Sequence, residues 1–212
     1  QVTEVITAEN TFLIGAHQTN IRTLGKEKLK SYLFALDAAA VGSDASVMEK
    51  TGKNVKRKIE GNLTDRALLE AVLTTSASVE NVRKRWKRID ALPIDSLRKY
   101  SATLHVREKE KNLCIIKGAP EKILALCTRQ MKEDASERLD ASAYEKLTKK
   151  FSGIGRQGLR VIALAYADTE TTDVQKAVTE KNFTFVAFFA LKDPLRREVR
   201  NSIQECHRAG IR

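Results

Sequence analysis

Five consecutive residues, Lys117-Gly118-Ala119-Pro120-Glu121, combine the parts of an anion or nucleotide subsite. A helix that opens at Pro120 has unpaired N–H donors in its first turn, and such donors attract anions. Gly118 has no Cβ to hold a ligand off the backbone, and Lys117 adds a formal charge. The same five residues also fit an ordinary strand–turn–helix without a ligand. Gly153-Ile154-Gly155-Arg156-Gln157-Gly158 matches the GxGxxG spacing. The dinucleotide fingerprint needs a strand before it and a helix after it. Here the order is helix, glycines, strand, so the stretch reads as a helix C-cap and turn. Gly52-Lys53 lacks the spacing of a phosphate-binding Walker loop. Arg83-Lys84-Arg85-Trp86-Lys87-Arg88 offers cations for phosphates and an indole for a base. This makes a basic nucleic-acid-binding module the alternative function, although no nucleic-acid fold signature accompanies it. A second basic group is Lys53, Lys56, Arg57 and Lys58. Such runs also serve as plain solvated faces.

Several elements must position these residues. Val2–Thr7 is rich in β-branched residues, roughly alternates apolar with polar, and predicts a strand, with residues 11–15 as its hairpin partner. Residues 28–41 have helical apolar spacing and stop at Gly42. Thr64 is the expected N-cap of a helix through residues 67–73. Residues 88–92 and 100–106 read as strands; residues 107–112 form a charged turn, and 113–116 complete a hairpin. Pro120 takes the first helical position before Ile123, Leu124 and Leu126. Residues 143–151 predict an amphipathic helix closed by the glycines, and 160–166 an apolar strand. Residues 183–191 read as a buried strand, broken by Asp193-Pro194. Val199, Ile203 and Cys206 mark a last helix, ended by Gly210. Hairpins and helices alternate as connections, and there is no internal repeat. The fold class is α+β: a mostly antiparallel sheet flanked by helices.

At 212 residues and 42% hydrophobic, the chain can bury one full core without staples. Three scattered cysteines, Cys114, Cys127 and Cys206, exclude a disulfide framework and suit a reducing compartment. His17, His105 and His207 are far apart in sequence, so no metal site is expected. The longest largely apolar run, residues 183–191, is half of the roughly 20 residues that a spanning helix needs. A soluble chain is therefore expected, and a start at Gln1 reads as an excised or processed piece. A net charge of +11 favours polyanionic partners, among them nucleotide phosphates.

Lys117-Gly118-Ala119-Pro120-Glu121 resembles a signature of the nucleotide-binding domain of P-type cation-transporting ATPases, especially pumps of calcium, sodium–potassium or protons. Four further stretches fall in the family's order. Gly61-Asn62-Leu63-Thr64-Asp65-Arg66-Ala67-Leu68-Leu69 is similar to G-x-x-T-E-x-A-L-L, with Asp65 one methylene shorter than the usual Glu. Ile94-Asp95-Ser96-Leu97-Arg98-Lys99 resembles F-x-S-x-x-K, keeping Ser96 and Lys99 but replacing the aromatic with Ile94. Gly158-Leu159-Arg160-Val161 matches G-L-R-V, and Asp193-Pro194-Leu195-Arg196 resembles the hinge D-P-P-R. Glu49-Lys50-Thr51-Gly52-Lys53 is similar to the phosphorylated D-K-T-G-T only in part; it lacks the acceptor Asp and reads as an exposed loop.

The resemblance implies a nucleotide-binding domain over residues 1–192. Residues 193–212 would start the returning phosphorylation domain, as a helix that frays without its native sheet. It implies ATP as ligand, and Mg-ATP in the intact enzyme. Asp65 would meet the adenine amino group, Ile94 would cover the base, and Ser96, Lys99, Lys117, Gly118 and Ala119 would line the pocket. Arg160 would approach the phosphates. Without a stacked aromatic ring, ATP binding in the millimolar range is expected, about −4 kcal/mol. The implied partners are the phosphorylation and actuator domains of a membrane-embedded pump, with this domain on the cytoplasmic side. Alone, the chain would neither pump nor accept phosphate. The transported ion is set by membrane helices that this sequence does not contain.

Overall fold

In a computed structural model, described for all residues except 16–24, 50–56, 76–77, 108–109, 134, 194–197 and 212, β11 (Phe183–Leu191) is the central element. All nine of its residues are buried. A strand buried on both faces needs cover on both sides of its sheet, and both sides are covered.

Among the described residues nine strands join one sheet. Its path runs β2 (Thr11–Leu13), β1 (Val2–Thr7), β11, β10 (Arg160–Thr169), β7 (Asn112–Gly118), β6 (Tyr100–Val106) and β5 (Lys87–Leu92). Every neighbour along that path is antiparallel. β8 (Cys127–Lys132) adds a short parallel pairing to the start of β11, and β9 (Ala135–Arg138) pairs with β8. β3 (Ser46–Glu49) and β4 (Arg57–Glu60) form a separate two-stranded ribbon.

Strand alternation sorts the core into two layers. Leu113 and Ile115 of β7 and Leu164 of β10 face α1 (Lys26–Gly42), α2 (Leu63–Leu73) and α3 (Val79–Arg85). Cys114 and Ile116, with Ala163 and Ala165, face α4 (Pro120–Leu124), α5 (Ala141–Arg156) and α6 (Val174–Thr179). The expected class, an α+β fold with a mostly antiparallel sheet flanked by helices, is the observed one.

Several local expectations need correction. Asn62, not Thr64, caps α2, because its Oδ1 reaches the Asp65 N–H at 2.9 Å. Gly153 and Gly155 do not close α5; they lie inside it, because Leu147 and Ile154 carry its buried face on to Arg156. Gly158, at φ +76°, makes the turn into β10. Glu49 ends β3 instead of lying in a loop. Residues 50–53 of that stretch, Lys56, His17 and Pro194-Leu195-Arg196 lie outside the described residues. The last helix, α7 (Val199–Arg208), forms but buries none of its residues. No helix among the described residues is long and apolar enough to cross a membrane.

Candidate functional site

Three separate chain stretches meet at one end of the sheet. They are the β5–β6 loop, the β7–α4 junction and the start of β10. Antiparallel pairing places Tyr100 opposite Gly118 and Gly118 opposite Ala163, so the end of β7 lies between the start of β6 and β10. Ile94, Asp95, Ser96, Lys99, Gly118, Ala119, Pro120, Arg160, Val161 and Ile162 line the resulting cleft, of about 490 Å³. That size lies within the ordinary range for small-ligand pockets.

Its lining is apolar with cations at the edge. Ile94 is 66% exposed, an apolar surface in search of cover. Lys99 is exposed and holds φ at +57°, a left-handed conformation uncommon for a lysine. The Arg160 guanidinium is partly exposed and lies 3.4 Å from the Asp193 carboxylate. Six of the eight residues proposed from sequence are therefore brought together: Ile94, Ser96, Lys99, Gly118, Ala119 and Arg160. Sequence reasoning missed Asp95, Pro120, Val161 and Ile162 as cleft residues. Asp95 was readable as a loop-forming aspartate at the head of a turn, whereas Ile162 had no signal beyond strand periodicity.

The structure places the other two, Asp65 and Lys117, behind the cleft wall. β7 sends residues 113, 115 and 117 to the α1–α3 side, where the first turn of α2 presents Asp65. The two side chains form an ion pair, and the residues are 2% and 8% exposed. Asp65 Oδ2 also accepts from the Asp44 backbone N–H at 3.1 Å and Asn62 Nδ2 at 2.9 Å. Burial holds the Lys117 ammonium below the usual lysine range, and the Asp65 charge opposes that shift.

Gly118 and Ala119 act differently from the sequence expectation. A Cβ on Gly118 would fall on the Lys99 carbonyl oxygen, and within 2.5 and 2.6 Å of Tyr100 Cα and Cβ. The missing side chain thus admits the neighbouring strand, not a ligand. The Ala119 N–H donates to the Lys99 carbonyl at 2.9 Å, and Pro120 has no N–H. With α4 only five residues long, the junction grips the β5–β6 loop instead of offering those donors to an anion.

The three arginines of the basic stretch Arg83–Arg88 make their contacts within the protein itself. Arg83 donates to the carbonyls of Ala40, Ser43 and Ala45 at 2.7–3.1 Å, and so caps the C-terminus of α1. Arg88 donates to the Val41 and Ser43 carbonyls at 2.8 and 3.0 Å and pairs with Asp44. Arg85 pairs with Asp37 and lies over the Trp86 ring, 4.7 Å from its centroid. Trp86 is 9% exposed, too buried to stack on a base. Two arginines and the indole of the alternative nucleic-acid module are thereby removed from solution chemistry.

Comparison with known proteins agrees with the geometry. A family model described as P-type ATPase, cytoplasmic domain N, matches residues 32–198. The chain is 34% identical over 152 residues to calcium-transporting ATPase 1 of Bacillus cereus, covering 72% of this chain and 17% of that protein. It is 28% identical over 170 residues to sodium/potassium-transporting ATPase subunit alpha-3 of Homo sapiens, covering 74% of this chain and 17% of that protein. To sodium/potassium-transporting ATPase subunit alpha-A of Artemia franciscana it is 29% identical over 170 residues, with the same coverage. The chain therefore spans less than a fifth of the length of these relatives. A family match across most of the chain shows that it belongs to the P-type ATPase cytoplasmic N domains.

Proposed function

We propose that this chain binds ATP in the cleft between the β5–β6 loop, the β7–α4 junction and β10. In a complete P-type cation transporter it would present that ATP to a phosphorylation domain. The observation that carries this reading is the convergence of Ile94, Ser96, Lys99, Gly118, Ala119 and Arg160, distant in sequence, on one cleft of about 490 Å³. Ile94 covers one face of the adenine ring through apolar contact. Lys99 and Arg160 supply positive charge where the triphosphate leaves the cleft. Arg160 exchanges Asp193 for phosphate oxygens, an exposed pair that is cheap to break. Asp65 reads the adenine amino group only after its side chain yields part of its bond to Lys117; until then the pair supports the cleft floor. In the intact enzyme the ligand is Mg-ATP, and the partners are the phosphorylation and actuator domains of a membrane protein, with this domain on its cytoplasmic side. Residues 193–212 begin the returning phosphorylation-domain segment.

A titration of the chain with ATP, read by amide chemical shifts, tests the site. Shifts are expected at Ile94, Lys99, Ala119 and Arg160, saturating in the millimolar range, about −4 kcal/mol. A parallel titration with a single-stranded oligonucleotide across salt concentrations tests the alternative. Steeply salt-dependent oligonucleotide binding with no ATP response would overturn the proposal.

A further inference from the structure

The β5–β6 loop carries four of the cleft residues, Ile94, Asp95, Ser96 and Lys99, yet it has no regular secondary structure from 93 to 99. Something else must hold it. Asp95 Oδ1 accepts from the backbone N–H groups of both Leu97 and Arg98 at 2.8 Å. The Asp95 carbonyl accepts from the Lys99 N–H, also at 2.8 Å. Asp95 Oδ2 pairs with Arg98 Nη1 at 2.7 Å, and Arg98 Nη2 donates to the Pro93 carbonyl at 2.8 Å. One carboxylate and one guanidinium thus tie the loop's entry to its exit. These bonds close the turn immediately before Lys99, whose φ of +57° is a conformation that needs outside support. Beyond Lys99 the Ala119 N–H grips its carbonyl.

Resting on the ATP site described above, we propose that Asp95 is a positioning residue for nucleotide binding. It holds Ile94 and Lys99 in their binding geometry without itself needing to touch the ligand. The hydrogen bonds that it accepts, together with Arg98, keep its carboxyl below the usual carboxylate range, as a clamp working in its charged form requires. Weakening the clamp lowers the population of the competent loop, and apparent affinity falls by the same factor.

The test compares wild type, Asp95→Ala, Asp95→Asn and Arg98→Met by ATP titration, urea unfolding and amide hydrogen exchange of the ligand-free chain. Asp95→Ala is expected to bind ATP about tenfold more weakly, to lose exchange protection at Lys99, and to keep the wild-type urea midpoint. Asp95→Asn, which retains an acceptor for the two N–H groups, is expected to recover affinity to within about threefold of wild type. Arg98→Met should fall between them, and it decides the question should Asp95→Ala not fold. Wild-type affinity in both Asp95→Ala and Arg98→Met would overturn the proposal while leaving the ATP site standing. So would a fall in affinity that tracks a fall in the urea midpoint, since that is a structural role. Absence of an ATP response in wild type would instead remove the site itself, and the positioning role with it.

Discussion

Ile94 and Gly118 show how single residues set the cleft's properties. Ile94 occupies the position where the family's motif has phenylalanine, and it is largely exposed. An aromatic ring there adds stacking worth about 0.5–1.5 kcal/mol beyond apolar area. Ile94→Phe is therefore expected to tighten ATP binding roughly two- to tenfold, with little change in stability; a titration of the variant beside wild type checks this. Gly118 is constrained from the other side. Its absent Cβ makes room for the backbone of Lys99 and Tyr100. Since that obstacle is backbone and cannot swing away, Gly118→Ala is expected to cost about 1–3 kcal/mol in urea unfolding and to displace the Lys99 amide resonance. A glycine in a phosphate-like motif invites a ligand explanation. The packing of β6 on β7 supplies a sufficient one here.

At the scale of elements, helix ends explain the basic stretch. α1 has no basic residue in its own last turn, so its terminal carbonyls need donors from elsewhere. Arg83, half-buried, supplies them, and burial holds its guanidinium below the usual arginine value. Arg83→Met is expected to lower stability by about 2–3 kcal/mol, since it strips charged hydrogen bonds from buried carbonyls. Arg85→Ala, which breaks an exposed pair, should cost under about 1 kcal/mol. Denaturant unfolding of the two variants separates a cap from a surface charge. α7 is the opposite case, a mostly polar helix whose few apolar residues, Val199, Ile203 and Cys206, are not buried. Ten residues of unsupported helix are marginal in water. Its amides are expected to exchange orders of magnitude faster than those of β11, whose nine residues are all buried. Protection of α7 comparable to β11 would show that the helix has found a packing surface.

For the whole molecule, one buried group couples stability to pH. His105 sits on β6 with its ring 1% exposed. Its Nδ1–H donates to the Trp86 carbonyl at 3.1 Å, and Nε2 accepts from the Thr103 hydroxyl at 2.9 Å. Burial pushes its pKa down from 6.5 to about 4, with the Arg88 and Arg83 charges adding to the fall. The unfolded chain therefore takes up more protons than the folded one between those values. Stability present above pH 6.5 is lost as the pH falls through that window, by about 3 kcal/mol at most. Urea midpoints measured from pH 7 to 4.5 should fall more steeply in wild type than in His105→Gln.

Much of this molecule was legible in the order of its residues. The β-branched residues of Val2–Thr7, the apolar run of Phe183–Leu191, interrupted only by Thr184, and Pro120 at a helix start are local signals, because backbone sterics, two-sided burial and a missing N–H act over a few residues. The β3–β4 ribbon, α3 and the β8–β9 pair were not legible. Their stretches are short and polar, and they gain order only from contacts made elsewhere in the chain. The candidate site divides in the same way. Sequence by itself determined which side chains carry the chemistry and in what order they come. Only the tertiary structure decided their neighbours. Lys117 turns away to meet Asp65 because strand alternation points residue 117 at α2. Gly118 serves Tyr100, and Arg83 serves α1 across more than forty residues. Such partners are set by which strands and helices pack together, a property of long-range burial that local spacing does not encode.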